Sequence, residues 1–117
     1  MIPVACFLSN FVQGHHVPDT LSSPVIVKVV GREVTLAWTK PDNDGGAKVS
    51  GYRIACAVPN SNLAKYVTGK STTTARVVKN LRMGQTYVFA VSAKNSVGYG
   101  KFSKLSEHIK VPDFAGK

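Results

Sequence analysis

The chain is short of acid. Six Asp and Glu stand against fifteen Lys and Arg, a formal charge of +9 over 117 residues. That balance admits nucleic acid, an anionic membrane, a heparin-like sugar or an acidic protein as a partner. The basic residues, however, come one or two at a time along every segment, with no basic block, so the charge reads first as a solvated basic surface. Cysteine is also scarce. Cys6 and Cys56 lie far apart, outside any dense spacing, which excludes a disulfide-stapled or zinc-ribbon scaffold. They could pair, but reduced thiols are the expectation, and with them a cytoplasmic compartment. No Asn-x-Ser/Thr acceptor occurs after Asn10, Asn43, Asn60, Asn62, Asn80 or Asn95, which supports the same side. No Lys or Arg precedes Lys28, so a secretory signal lacks its basic region. No segment is apolar over the roughly 18 residues a membrane span requires, and membrane insertion is not expected.

Motifs for catalysis are missing too. His15 and His16 are adjacent near the N-terminus and His108 lies late in the chain, with no Ser and carboxylate placed to complete a triad. Asp42 and Asp44 match a fragment of a calcium-binding loop, but the remaining ligands and the closing Glu are absent. Turn chemistry accounts for them. The run Gly98 to Lys101, "GYGK", lacks the phosphate-loop spacing. Neither an enzyme nor a cofactor or metal site is expected.

Positive signals begin at Pro24. From there apolar residues recur with period two, broken by turn residues every 8 to 12 positions or so, while helical spacing never holds for three turns. Strands are expected over Pro24 to Val30, Glu33 to Trp38, Val49 to Val58, Ala64 to Gly69, Thr73 to Val78, Gln85 to Asn95 and Phe102 to Val111. Alternation puts Val34, Leu36 and Trp38 on one face of the second strand. It groups Tyr52, Ile54 and Cys56 on the third, and Tyr87, Phe89, Val91 and Ala93 on the sixth, as the inward set. Such strands pack as an all-β, seven-stranded antiparallel β-sandwich. Pro41 ends the second strand, and Asp42-Asn43-Asp44-Gly45-Gly46 suits a loop between sheets. Residues 1–23 are expected to be a poorly ordered leader, linker or added extension, 24–112 the domain and 113–117 a C-terminal linker.

Trp38-x-x-Pro41, Asp44-Gly45-Gly46, Gly51-Tyr52, Leu81 with Tyr87 six positions on, and the segment "VSAKNSVGYG" with Asn95 and Gly98 together resemble a fibronectin type III domain. The resemblance covers about Pro24 to Pro112 and is strongest to the modules of giant muscle proteins such as titin and twitchin and of myosin-binding proteins. It implies an immunoglobulin-like sandwich with Trp38 in the core and Tyr87 as the tyrosine corner, its hydroxyl bonded to backbone near Leu81. Tyr66 stands where many relatives have tryptophan, and Arg76 where they often have an apolar residue, which suggests a shifted or partly open strand. No Arg-Gly-Asp tripeptide is present.

Function is therefore expected on the surface. The sheet of the third, sixth and seventh strands plus the short edge strand should expose Arg53, Ala55, Ala57, Lys65, Val88, Ala90, Ser92 and Lys94, a small-residue face rimmed by positive charge. The resemblance implies a monomeric, non-catalytic interaction and spacer module of a sarcomeric protein. Its partners would be other proteins, such as myosin or other filament proteins, and neighbouring domains. The alternative is an extracellular adhesion or receptor module binding protein ligands or sulfated glycans. Nucleic acid is disfavoured because aromatics that could stack on bases are mostly assigned to the core and no basic stripe interleaves with them.

Overall fold

The computed structural model describes residues 15–61, 64–69 and 71–113. Its strands are β1 (Val25–Val30), β2 (Glu33–Ala37), β3 (Gly51–Ala57), β4 (Ala64–Gly69), β5 (Ala75–Val78), β6 (Thr86–Lys94) and β7 (Ile109–Lys110). They form two sheets in the orders β1-β2-β5 and β4-β3-β6-β7, with every strand pair antiparallel. No helix is present among the described residues. The chain is thus an all-β sandwich.

The inner faces are those the alternation picks out. Val34, Leu36 and Trp38 from the smaller sheet meet Tyr52, Ile54, Cys56, Phe89, Val91 and Ala93 from the larger, with Leu21, Val78, Leu81 and Val111 closing the ends. Leu36 and Phe89 are wholly buried, and each side chain of this kind stabilises the fold by about 1.5–3 kcal/mol. Trp38 packs edge-on to Tyr52, ring centroids 5.3 Å apart at 64°, a favourable arrangement of the two ring quadrupoles. Burial pushes the Tyr52 phenol above its usual pKa. At the edge strand β1 the register slips between Ile26 and Lys28. Such a bulge, with a lysine beside it, blunts an edge that would otherwise recruit another strand.

Two expectations change. Phe102 to Val111 is a strand only at Ile109–Lys110. The chain before it still follows β6: the amides of Gly100, Ser103 and Ser106 donate to the carbonyls of Ala93, Val91 and Phe89 at 2.8, 2.9 and 2.7 Å. Three residues on this side span two on β6, so the regular ladder is lost at each step. The hydroxyls of Ser103 and Ser106 take its place, accepting from the amides of Val91 and Phe89 at 3.0 Å each. The second change concerns residues 15–23, expected within the leader. His16 N donates to Gly45 O at 2.7 Å, Asp19 N donates to Asn43 O at 3.0 Å, and Leu21 enters the core. The remainder of the leader, Cys6 included, lies outside the described residues.

Residues 15–23, a strap along this end of the sandwich, explain two glycines. Gly45 has φ +82°, and a Cβ there would collide with the His16 carbonyl; one on Gly100 would collide with the Pro18 carbonyl. Both positions need a bare backbone because another backbone lies against them. Asn43 and Asp44 close the same loop through side-chain oxygens that accept from the amides of Gly45 and Gly46 at 2.8 and 2.9 Å, the local bonding that makes these residues turn formers.

Candidate functional site

The outer face of the larger sheet is built from register. Arg53 on β3 lies between Thr68 on β4 and Ser92 on β6; Ala55 lies between Tyr66 and Ala90; Ala57 lies between Ala64 and Val88. Beyond β6 runs the segment carrying Tyr99 and Phe102. The Tyr66 and Phe102 rings stack with centroids 5.6 Å apart at 27°. They come from the two sides of the sheet and meet above the row of Ala55 and Ala90, whose methyl groups leave room for them. The Arg53 guanidinium carbon sits 5.0 Å from the Tyr66 ring centre, 4.1 Å from Tyr99 and 4.8 Å from Phe102. Lys94 Nζ is 5.3 Å from the Tyr99 ring. Both cations are within the range at which a ring face attracts positive charge.

This geometry corrects the expected face in two ways. Val88, Ala90 and Ser92 point outward but are 2%, 4% and 0% exposed, so the open bed of small residues does not exist. Lys65 pairs with Cys56 rather than with an outward residue, which puts it on the inner side of β4, exposed at the margin of the core. Ala55 and Arg53 are half-buried and Lys94 is exposed. Tyr66, 59% exposed, stands out in the sequence only as a departure from the family pattern, and the alternation does not assign Tyr99 and Phe102 to the face. Their signal was available as a run of aromatics on segments flanking the alanines, but only register shows that the rings converge.

Arg53 Nε and Ser92 Oγ, cross-strand neighbours, are both buried without a hydrogen-bond partner. No Asp or Glu lies on β3, β4 or β6, nor between Tyr99 and Ser106. The face therefore presents rings and positive charge with no internal counter-charge.

The other singled-out residues are structural in their contacts. Tyr87 Oη accepts from Arg82 N at 2.9 Å, one residue beyond Leu81. Pro41 borders an open cleft with Lys40, Asp42, Asp44 and Lys48. Asn95, wholly buried, joins the loops that contain Gly46 and Gly98. Arg76 pairs with Leu36 on the inner side of β5 and reaches the backbone of Gly69, so the inter-sheet edge is closed there by a guanidinium instead of an apolar side chain. Cys56 is a buried thiol whose pKa burial pushes up to about 11, against a smaller opposing effect of Lys65. A thiol so protonated is a poor nucleophile. The described residues hold no group of three or more His, Cys, Asp or Glu positioned for a metal.

Comparison with known proteins separates fold from context. The family model for the fibronectin type III domain matches residues 20–109. Cell adhesion molecule DSCAML1 of Gallus gallus is 32% identical over 102 residues, 85% of this chain and 5% of that protein. Myosin-binding protein H-like of Mus musculus is 36% identical over 81 residues, 69% of this chain and 23% of that protein. The chain spans less than a quarter of either relative's length. Among solved structures, domains A168–A170 of titin superpose with a TM-score of 0.74 at 30% identity, over 82% of this chain and 32% of that one. The family model matches most of the chain's length and the chain folds as a sandwich with a tyrosine corner: this chain belongs to the fibronectin type III family.

Proposed function

We propose that the chain is a non-catalytic interaction and spacer module of a large multidomain muscle protein, cytoplasmic and sarcomeric, docking other proteins through the outer face of its larger sheet. The observation that carries this reading is that face: the exposed ring of Tyr66 and the half-buried rings of Tyr99 and Phe102 around Arg53, Lys94 beside them, and no carboxylate on any of the strands that build it. Rings at the centre and charge at the rim are the composition of a protein interface. Likeness to titin domains A168–A170 and to myosin-binding protein H-like supports the muscle setting, with acidic filament proteins, myosin among them, as partners and neighbouring domains in series. Residues 24–112 with the strap before them form the module, and the isolated domain is monomeric.

A second reading has its own support. Likeness to DSCAML1 extends over 85% of the chain, and an adhesion module would use the same face outside the cell. Antibody staining of striated muscle and neuronal cultures, with and without permeabilisation, separates them. Stripes in register with the filament lattice that appear only after permeabilisation are expected; label on intact cell surfaces would replace the muscle reading with the adhesion one.

A further inference from the structure

Arg53 is held in place without being neutralised. Its guanidinium lies within 5.0 Å of three ring centres, yet none of its nitrogens has a hydrogen bond or ion pair among the described residues, and its Nε is buried. A ring face attracts the cation without consuming its N–H donors. The group is thus ordered, with Nε buried and its two terminal Nη groups still able to donate in parallel, a paired geometry that matches a carboxylate. A receptor group ordered before binding loses less conformational freedom when its ligand arrives. The surroundings offer no internal substitute: the single ion pair among the described residues, Lys110 with Asp113, involves neither Arg53 nor its neighbours.

We infer that Arg53 receives an Asp or Glu side chain from an acidic segment of a partner protein, with Tyr66 contacting an apolar residue beside that acid and Lys94 adding a second, exposed charge. This rests on the reading of the outer sheet face as the docking surface. Charge complementarity selects the occupant, because a face with two cations and no acid favours a partner that brings the acid. The exposed ring of Tyr66 favours protein over a sulfated glycan, which gains affinity from a dense row of cations that this face lacks.

The test uses the whole chain, nitrogen-15 labelled, titrated by NMR with a peptide alternating glutamate and leucine, with its glutamine counterpart, and with a short heparin oligosaccharide. The glutamate peptide should shift the Arg53 Nε–H signal and the amides of Tyr66 and Phe102, and the glutamine peptide should not. Arg53→Lys keeps the charge but loses the fork, and should weaken the glutamate peptide about tenfold, the value of one charged hydrogen bond. Lys94→Gln, at an exposed rim position, should cost only about threefold. Shifts on the outer face with undiminished affinity in Arg53→Lys would overturn the inference and leave the docking face standing. Shifts confined to β1, β2 and β5 would overturn both. Heparin binding tighter than the glutamate peptide would give the face to the glycan instead.

Discussion

Asn95 holds His16. Its Nδ2 donates to the His16 carbonyl at 2.6 Å and to the Asp44 carbonyl at 2.8 Å, while its Oδ1 accepts from the amides of Val97 and Gly98 at 2.9 and 3.3 Å. A buried amide with both donors and both lone pairs in use is worth more than its separate bonds, since each lost partner strands another polar group. Three segments distant in sequence, the strap, the β2–β3 loop and the loop after β6, are thereby fastened at one end of the sandwich.

Asn95→Asp keeps the shape and removes both donors, placing a carboxylate against two carbonyl oxygens. Stability should fall by about 2–4 kcal/mol, measured by urea unfolding. Hydrogen exchange at the His16 and Asp19 amides should rise by more than the global change, because the strap is released first.

Ser103 and Ser106 make a separate prediction. Each hydroxyl takes a β6 amide that the irregular last segment leaves without a backbone acceptor. Replacing either serine with alanine should cost about 1–3 kcal/mol in thermal or urea unfolding, more than is usual for so small a change. Replacement with threonine, which keeps the hydroxyl, should recover part of the loss.

Alternation was informative where a residue's neighbours are local. It separates Val34, Leu36, Tyr52, Ile54, Phe89 and Val91 as the inner set, and these are the core. It also assigns Val88, Ala90 and Ser92 to the outer face, which the register shares. It does not show that a side chain turned outward can be covered by rings from residues 66 and 102, brought together only when the sheet is assembled. Lys65 fails for a related reason: its side follows from pairing with Cys56, and pairing is a relation between strands. The serines are spaced by three, against a strand period of two. Read within a strand pattern, that spacing hides the bulged course of the chain after Gly100.

Cys56 ties stability to pH. Burial pushes its thiol from an ordinary value of 9.0 up to about 11. Between these values the unfolded state has lost the proton that the folded state retains. The contribution is fully present below about pH 9 and is lost as pH rises toward 11. Urea midpoints should therefore decline over that window in the wild-type chain, and decline less in Cys56→Ala once its own lower baseline is subtracted. Iodoacetamide at mildly alkaline pH should modify Cys56 only after unfolding.

Tyr66 and Phe102 predict a difference between stability and recognition. Tyr66 is largely exposed, so Tyr66→Ser should reduce stability by only about 0.5–1.5 kcal/mol, the worth of its ring pair. It should nonetheless uncover Ala90 and loosen Arg53, visible as faster exchange of the Arg53 Nε–H proton.

If the outer face of the larger sheet docks a partner, co-sedimentation with myosin filaments should depend on the side chains of that face. The wild-type chain and the Tyr66→Ser, Lys94→Glu double variant would be compared at matched salt, with melting curves taken on both. The wild type should pellet with the filaments, and the variant, still folded, should remain in the supernatant. A folded variant that pellets as well as the wild type would mean that this face is not the docking surface.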